Sequence, residues 1–201
     1  NQIIGSHSDY VCFSFQAIKH LTTGDGGALT CKTEQEYERI KKLRWFGLNR
    51  KYNGPKWEQD VTESGFKYHM NNINAAIGQV QLRHIQPAVD RHIENGRWFD
   101  RELTGIPGLE LCTWDSAAEP SYWFYTILAE RRDELAKALV EKGIDCSLAH
   151  KRNDLHSIFS QPKKYLPNLD DFFARMLHIP CGWWVSDDDR QFIRDTLRSG
   201  W

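Results

Sequence analysis

Two short apolar runs, Val11-Cys12-Phe13-Ser14-Phe15 and Ala28-Leu29-Thr30-Cys31, flank a lysine, Lys19, and a glycine-rich turn, Gly24-Asp25-Gly26-Gly27. Runs this brief, bounded by glycine, read as strands over residues 9–15 and 28–31. The first is apolar at nearly every position and reads as a buried strand, which delivers Lys19 to the end of a buried segment. Burial without a partner disfavours an ammonium, and a neutral amine is the form that attacks a carbonyl. The same residues also suit a plainer hairpin, in which Lys19 snorkels to water and the glycines supply the turn. A loop for nucleoside triphosphates is excluded, because here the lysine precedes the glycines.

Beyond the turn, Thr33-Glu34-Gln35-Glu36 is a capping box that opens an amphipathic helix to about Phe46, with Gly47 as its stop. Residues 48–62 read as a polar loop with a turn at Asn53-Gly54-Pro55. A second helix is predicted over about 72–85. It carries Ile73, Ala76, Ile77 and Val80 on one face, with Ala75, Ala76 and Gly78 small enough for close packing. After Pro87 a third helix runs to about Leu103 and ends at Gly105-Ile106-Pro107-Gly108. Then come a strand from Tyr122 to Leu128, a helix from Asp133 to Lys142, a strand from Ile144 to Ala149 and a short strand at Leu177-His178-Ile179. Ser186 caps a final helix whose first turn holds three aspartates, which suit its dipole. Strands alternating with helices predict an α/β fold, with a boundary between about 86 and 108.

Composition removes several functions. A formal net charge of −1 gives no electrostatic footprint for nucleic acid or an anionic membrane. No apolar run approaches the about 20 residues of a membrane span, and the first residues lack the basic start and apolar core of a signal peptide. Five scattered cysteines without a C-x-x-C spacing argue against metal and against a disulfide framework, and read as small core residues in a reducing cytoplasm. The absent starting methionine suggests that the chain is cut from a longer one.

Phe13-Ser14-Phe15, Lys19 and Leu21-Thr22-Thr23-Gly24-Asp25-Gly26-Gly27 together resemble the lysine segment of the DegT/DnrJ-type sugar aminotransferases, which bind pyridoxal phosphate (PLP). A second stretch, Gly65-Phe66-Lys67-Tyr68-His69-Met70 followed by Ile73, Ala75-Ala76-Ile77-Gly78 and Gln81-Leu82, resembles that family's next signature in the right order. The closing segments, Leu177-His178-Ile179-Pro180 and Ser186-Asp187-Asp188, extend the resemblance over the whole chain. It implies the C-terminal part of a fold type I PLP-dependent transferase. Residues 1–90 would end the large PLP-binding domain, and 91–201 would form a linking helix and a small α/β domain.

By the same resemblance, Lys19 would form the Schiff base with PLP and then shuttle a proton. Ser14 would give its hydroxyl to the cofactor phosphate. Lys67, which departs from the family's asparagine, would reach the phosphate held by the other subunit of a homodimer with a shared active site. His69 stands where the family often has arginine, and Arg44-Trp45-Phe46-Gly47 resembles a family segment best explained as helix-end packing. His150 and Arg152, in a basic cluster after a strand, would meet the diphosphate of a nucleotide sugar, with Arg152 as a bidentate clamp. An intact Lys19 favours transamination over dehydration.

The implied reaction moves an amino group, from glutamate, to a nucleotide-linked keto-deoxysugar in the making of cell-surface polysaccharide or another glycoconjugate. A PLP-dependent sugar dehydratase and a non-catalytic dimerising relative remain alternatives. In the family, the groups that pair with the cofactor ring lie before the lysine segment. The chain alone is therefore expected neither to bind PLP tightly nor to turn over.

Overall fold

Tyr10–Ser14 (β1) and Gly27–Cys31 (β2) pair antiparallel, Tyr10 opposite Cys31 and Ser14 opposite Gly27, so Lys19 and the glycine turn form their connection. The computed structural model describes residues 5–159 and 165–201. Along the chain follow helices α1 (Glu34–Leu43) and α2 (Asn72–Glu102), strands β3 (Leu109–Leu111) and β4 (Tyr125–Ala129), and helix α3 (Arg132–Glu141). Helix α4 (Pro167–Arg175), strand β5 (Met176–Ile179) and helix α5 (Asp187–Arg198) complete it. Strands β3, β4 and β5 form a second sheet in that order, antiparallel throughout. The chain divides into two compact units, one ending at Ile85 and the other beginning at Gln86.

In the first unit the capping box forms as read. The Thr33 hydroxyl accepts from the Glu36 amide at 3.2 Å, and the Glu36 carboxylate accepts from the Thr33 amide at 3.2 Å. Helix α1 stops at Leu43, short of the predicted Phe46, because Phe46 and Gly47 turn to φ +57° and +79°. The amides of Phe46, Phe66 and Tyr68 donate across to the Phe66, Leu43 and Arg44 carbonyls, which pairs the helix exit with the Gly65–Tyr68 segment.

The expectation of a buried strand is overturned within these residues. Val11 alone is half-buried in β1 and its other positions are exposed; α1 buries no residue, and only Thr23 and Gly47 of the described first unit are buried. Phe13, Leu29, Tyr37, Phe66, Tyr68 and Met70 line an open groove of about 760 Å³. The cause is layering: a two-stranded sheet needs a second apolar layer to lose its water, and these residues supply only one. Cys12 is consequently exposed, whereas Cys181 in the second unit is buried and its thiol pushed up to about 12 by burial.

The second unit has a dense core. Along α2, His92, Asn95, Gly96 and Phe99 recur at helical spacing and are buried; Phe99 shares one core with Leu103, Ile127, Leu135, Leu139, Leu177 and Leu197. Gly96 is required by close approach, since a Cβ there would lie 2.2 Å from the Tyr122 ring. The Tyr122 and Tyr125 hydroxyls both donate to the Asp100 carboxylate at 2.6 Å. Burial and that carboxylate together hold both phenols well above the usual tyrosine range.

Three sequence expectations change here. Pro87 does not separate two helices but lies inside α2, at an exposed point of the helix where water can take the carbonyl it leaves unbonded. Residues 144–149 make a single bridge, Ser147 to His178, rather than a strand. Strand β3 and helix α4 are additions to the predicted elements. Among the described residues no helix is long and apolar enough to cross a membrane, and no group of His, Cys, Asp or Glu could hold a metal ion.

Candidate active site

The connection from Ser14 to Gly27 folds back on its own backbone. The Phe15 amide donates to the Gly26 carbonyl at 2.8 Å, and the Thr23 amide returns to the Phe15 carbonyl at 2.8 Å. Gln16 organises the approach to the lysine: its carbonyl accepts from the Lys19 amide at 2.9 Å and its side-chain oxygen from the Ile18 amide at 3.1 Å. The Thr22 hydroxyl accepts from the Gly24 amide at 3.0 Å and closes the turn. Lys19 is thereby half-buried, on a connection that leaves the sheet at Ser14 and re-enters it at Gly27. The Ser14 side chain is exposed and accepts only a long 3.4 Å bond from the Gln16 amide.

Lys67 lies elsewhere in the same unit, exposed, its backbone bridged to Trp45. His69 packs its ring edge-on against Trp45 with 4.1 Å between centroids, and its buried Nδ1 has no hydrogen-bond partner. The Arg44–Gly47 segment is therefore helix-end packing, built by Trp45 and Phe46 in edge contact at 5.0 Å.

His150 and Arg152 belong to the second unit, where with Lys151, Leu169, Phe172 and Met176 they line an open cavity of about 480 Å³. Their situations differ. His150 is exposed, whereas the Arg152 side chain is 9% exposed and pairs with Asp154, at 2.7 and 2.9 Å, and with Asp170. These two carboxylates hold the guanidinium well above its ordinary range. The donors of Arg152 therefore already face carboxylates.

His178, buried on β5, anchors the peptide that leads into His150. Its Nε2 donates to the Ala149 carbonyl at 3.1 Å, so Nδ1 is the nitrogen that accepts, from the Thr126 hydroxyl at 3.0 Å. Its backbone exchanges two further bonds with Ser147, at 2.9 and 3.1 Å. Sequence reasoning gives neither His178 nor the Asp154 and Asp170 partners a role. A histidine inside an otherwise apolar strand is the only signal for the first.

The sequence pattern of the DegT/DnrJ/EryC1/StrS aminotransferase family matches residues 1–198. A UDP-4-amino-4,6-dideoxy-N-acetyl-beta-L-altrosamine transaminase of Campylobacter jejuni is 28% identical over 98% of this chain and 53% of its own length. The crystal structure of AtS13 from Actinomadura melliaura superposes with a TM-score of 0.94 at 39% identity, covering 98% of this chain and 53% of that one. The sugar aminotransferase CalS13 from Micromonospora echinospora gives 0.95 at 36% identity, over 98% and 54%. The chain spans about half the length of the curated relatives it matches.

Proposed function

The chain belongs to the DegT/DnrJ/EryC1/StrS aminotransferase family, and from that premise we propose that the complete protein transfers an amino group from glutamate to a nucleotide-linked keto-deoxysugar with PLP as cofactor. The observation that carries the reading is the lysine connection: a half-buried lysine follows an exposed serine at the end of a strand pair. The family's aminotransferases depend on PLP.

The donor set suits that cofactor. Lys19 offers an amine to an aldehyde, and the Ser14 hydroxyl is a donor for a phosphate oxygen. The Lys67 ammonium supplies opposite charge at longer reach. When bound, PLP supplies an electron sink for chemistry at the carbon bearing nitrogen. The Lys19 amine would hold the cofactor, and its Nζ would accept and return the proton.

In this reading residues 1–90 end the large PLP-binding domain and 91–201 form the small domain of a cytoplasmic homodimer. Lys67 serves the neighbouring subunit's phosphate across the dimer. His150 meets the diphosphate of the nucleotide sugar. Arg152 reaches that diphosphate only by giving up one of its carboxylates, so its main role is to brace the cavity wall.

The test uses the complete protein with PLP, glutamate and a nucleotide-linked keto-deoxysugar. Amino sugar and 2-oxoglutarate should appear in equal amounts, and Lys19→Ala should abolish both. Loss of sugar hydroxyl without 2-oxoglutarate would replace the reading with dehydration.

A further inference from the structure

Asn74 stands in the first turn of α2, distant in sequence from Lys19, and its side-chain amide donates to the Asp25 carbonyl at 2.7 Å. That carbonyl also accepts from the Thr23 hydroxyl at 2.9 Å. Thr23 is 2% exposed, the one buried residue apart from glycine among the described residues of its unit. Its amide in turn holds the Phe15 carbonyl at 2.8 Å.

The packing around this knot leaves no slack. A Cβ on Gly26, itself at φ +156°, would lie 2.4 Å from Thr23 Oγ1 and 2.7 Å from Met70 Cε. A Cβ on Gly78, one turn along α2 from Asn74, would lie 2.8 Å from Thr23 Cγ2. The Asn74 backbone amide donates to Asn71 Oδ1 at 2.9 Å, which fixes the helix start from which the side chain reaches. The turn after Lys19 is thus held at the strand end by Phe15 and against the helix by Asn74 and Gly78, with Met70 packed on Gly26.

We propose that Asn74 is a positioning residue for Lys19. Through the Asp25 carbonyl it fixes the turn that follows the lysine, so that the two sequence signatures act as one device. A lysine side chain has too many rotatable bonds to place its own amine, and the backbone that carries it must be set by its surroundings. A neutral amide is the fitting group here, because it donates to the Asp25 carbonyl without bringing a further charge into the turn. This inference rests on the proposed role of Lys19.

The test compares Asn74→Ala, Asn74→Asp and Asn74→Gln in the complete protein. Aspartate keeps the shape and loses the donor, and glutamine keeps the donor. In the cofactor-free protein, amides of residues 23–26 should exchange with deuterium roughly fivefold faster or more in Ala and Asp, the loss of one hydrogen bond, while β1–β2 ladder amides and Tm stay unchanged. With PLP, kcat should fall by up to about 100-fold at unchanged KM, the scale of a misplaced reacting group, and Gln should recover part of both signals. Unchanged exchange and kcat in Ala and Asp would overturn the proposal, as would faster exchange spread over the whole unit. Lys19→Ala run in parallel separates the premises: activity surviving there sinks the reading of Lys19, while the exchange measurement still judges the clasp.

Discussion

His178 shows what a single buried ring can do at the residue scale. Burial is the leading cause that holds it below the ordinary histidine range, nearby His150 adds to the effect, and the Ala149 carbonyl opposes it. The folded state therefore keeps the ring neutral while the unfolded chain protonates at its usual value, 6.5. Stability is flat above that pH and falls as pH drops below it, because only the unfolded state takes up the proton. Denaturant midpoints measured across that range should show the decline, and His178→Gln, which cannot titrate, should flatten it. Gly96 makes a second prediction at this scale. Alanine in a helix interior ordinarily gains about 1 kcal/mol over glycine. Here its Cβ would meet the Tyr122 ring at 2.2 Å, and Gly96→Ala should instead cost roughly 1–3 kcal/mol, read as a lowered denaturant midpoint.

Single elements carry the next scale. Both helix caps are legible in the sequence because each needs only a local pattern, Thr33 with Glu36 and Ser186 with Asp189, and both form. Ser186→Ala should destabilise the second unit by about 1 kcal/mol, since α5 buries Ile193 and Leu197 in its core; urea unfolding followed by aromatic fluorescence measures this. The lysine connection is legible for the same reason, as glycine and threonine at fixed offsets announce a turn. The strand expected at 144–149 fails because pairing is a long-range event: the local pattern alternates apolar and polar residues, but only Ser147 finds a partner on β5. Pro87 misleads in the opposite sense. The rule that proline ends a helix assumes that the freed carbonyl has nowhere to go, and on an exposed face water receives it. Asn74 cannot be found from sequence at all, because its role exists only once the turn and α2 meet.

On the scale of the molecule the two units contrast. The second buries Phe99, Ile127, Leu139, Leu177 and Leu197 around one sheet, whereas the first leaves Phe13, Leu29, Phe66 and Tyr68 exposed around an open groove. The relatives are about twice as long as the stretch they share with this chain. Amide exchange on the chain by itself should find slow amides in the second unit and fast ones in the first, and an apolar dye should bind. In the complete protein the first unit should become protected and the dye signal should drop; a first unit already protected in the chain alone would refute this.

Whether Lys19 is the amine that holds the cofactor can be read directly. The complete protein is loaded with PLP, reduced with borohydride and digested, and the pyridoxyl-modified peptide is located by mass spectrometry. The modification should fall on Lys19 alone, and none should appear in a Lys19→Ala variant. Modification of another lysine, or none in the unaltered protein, would contradict it.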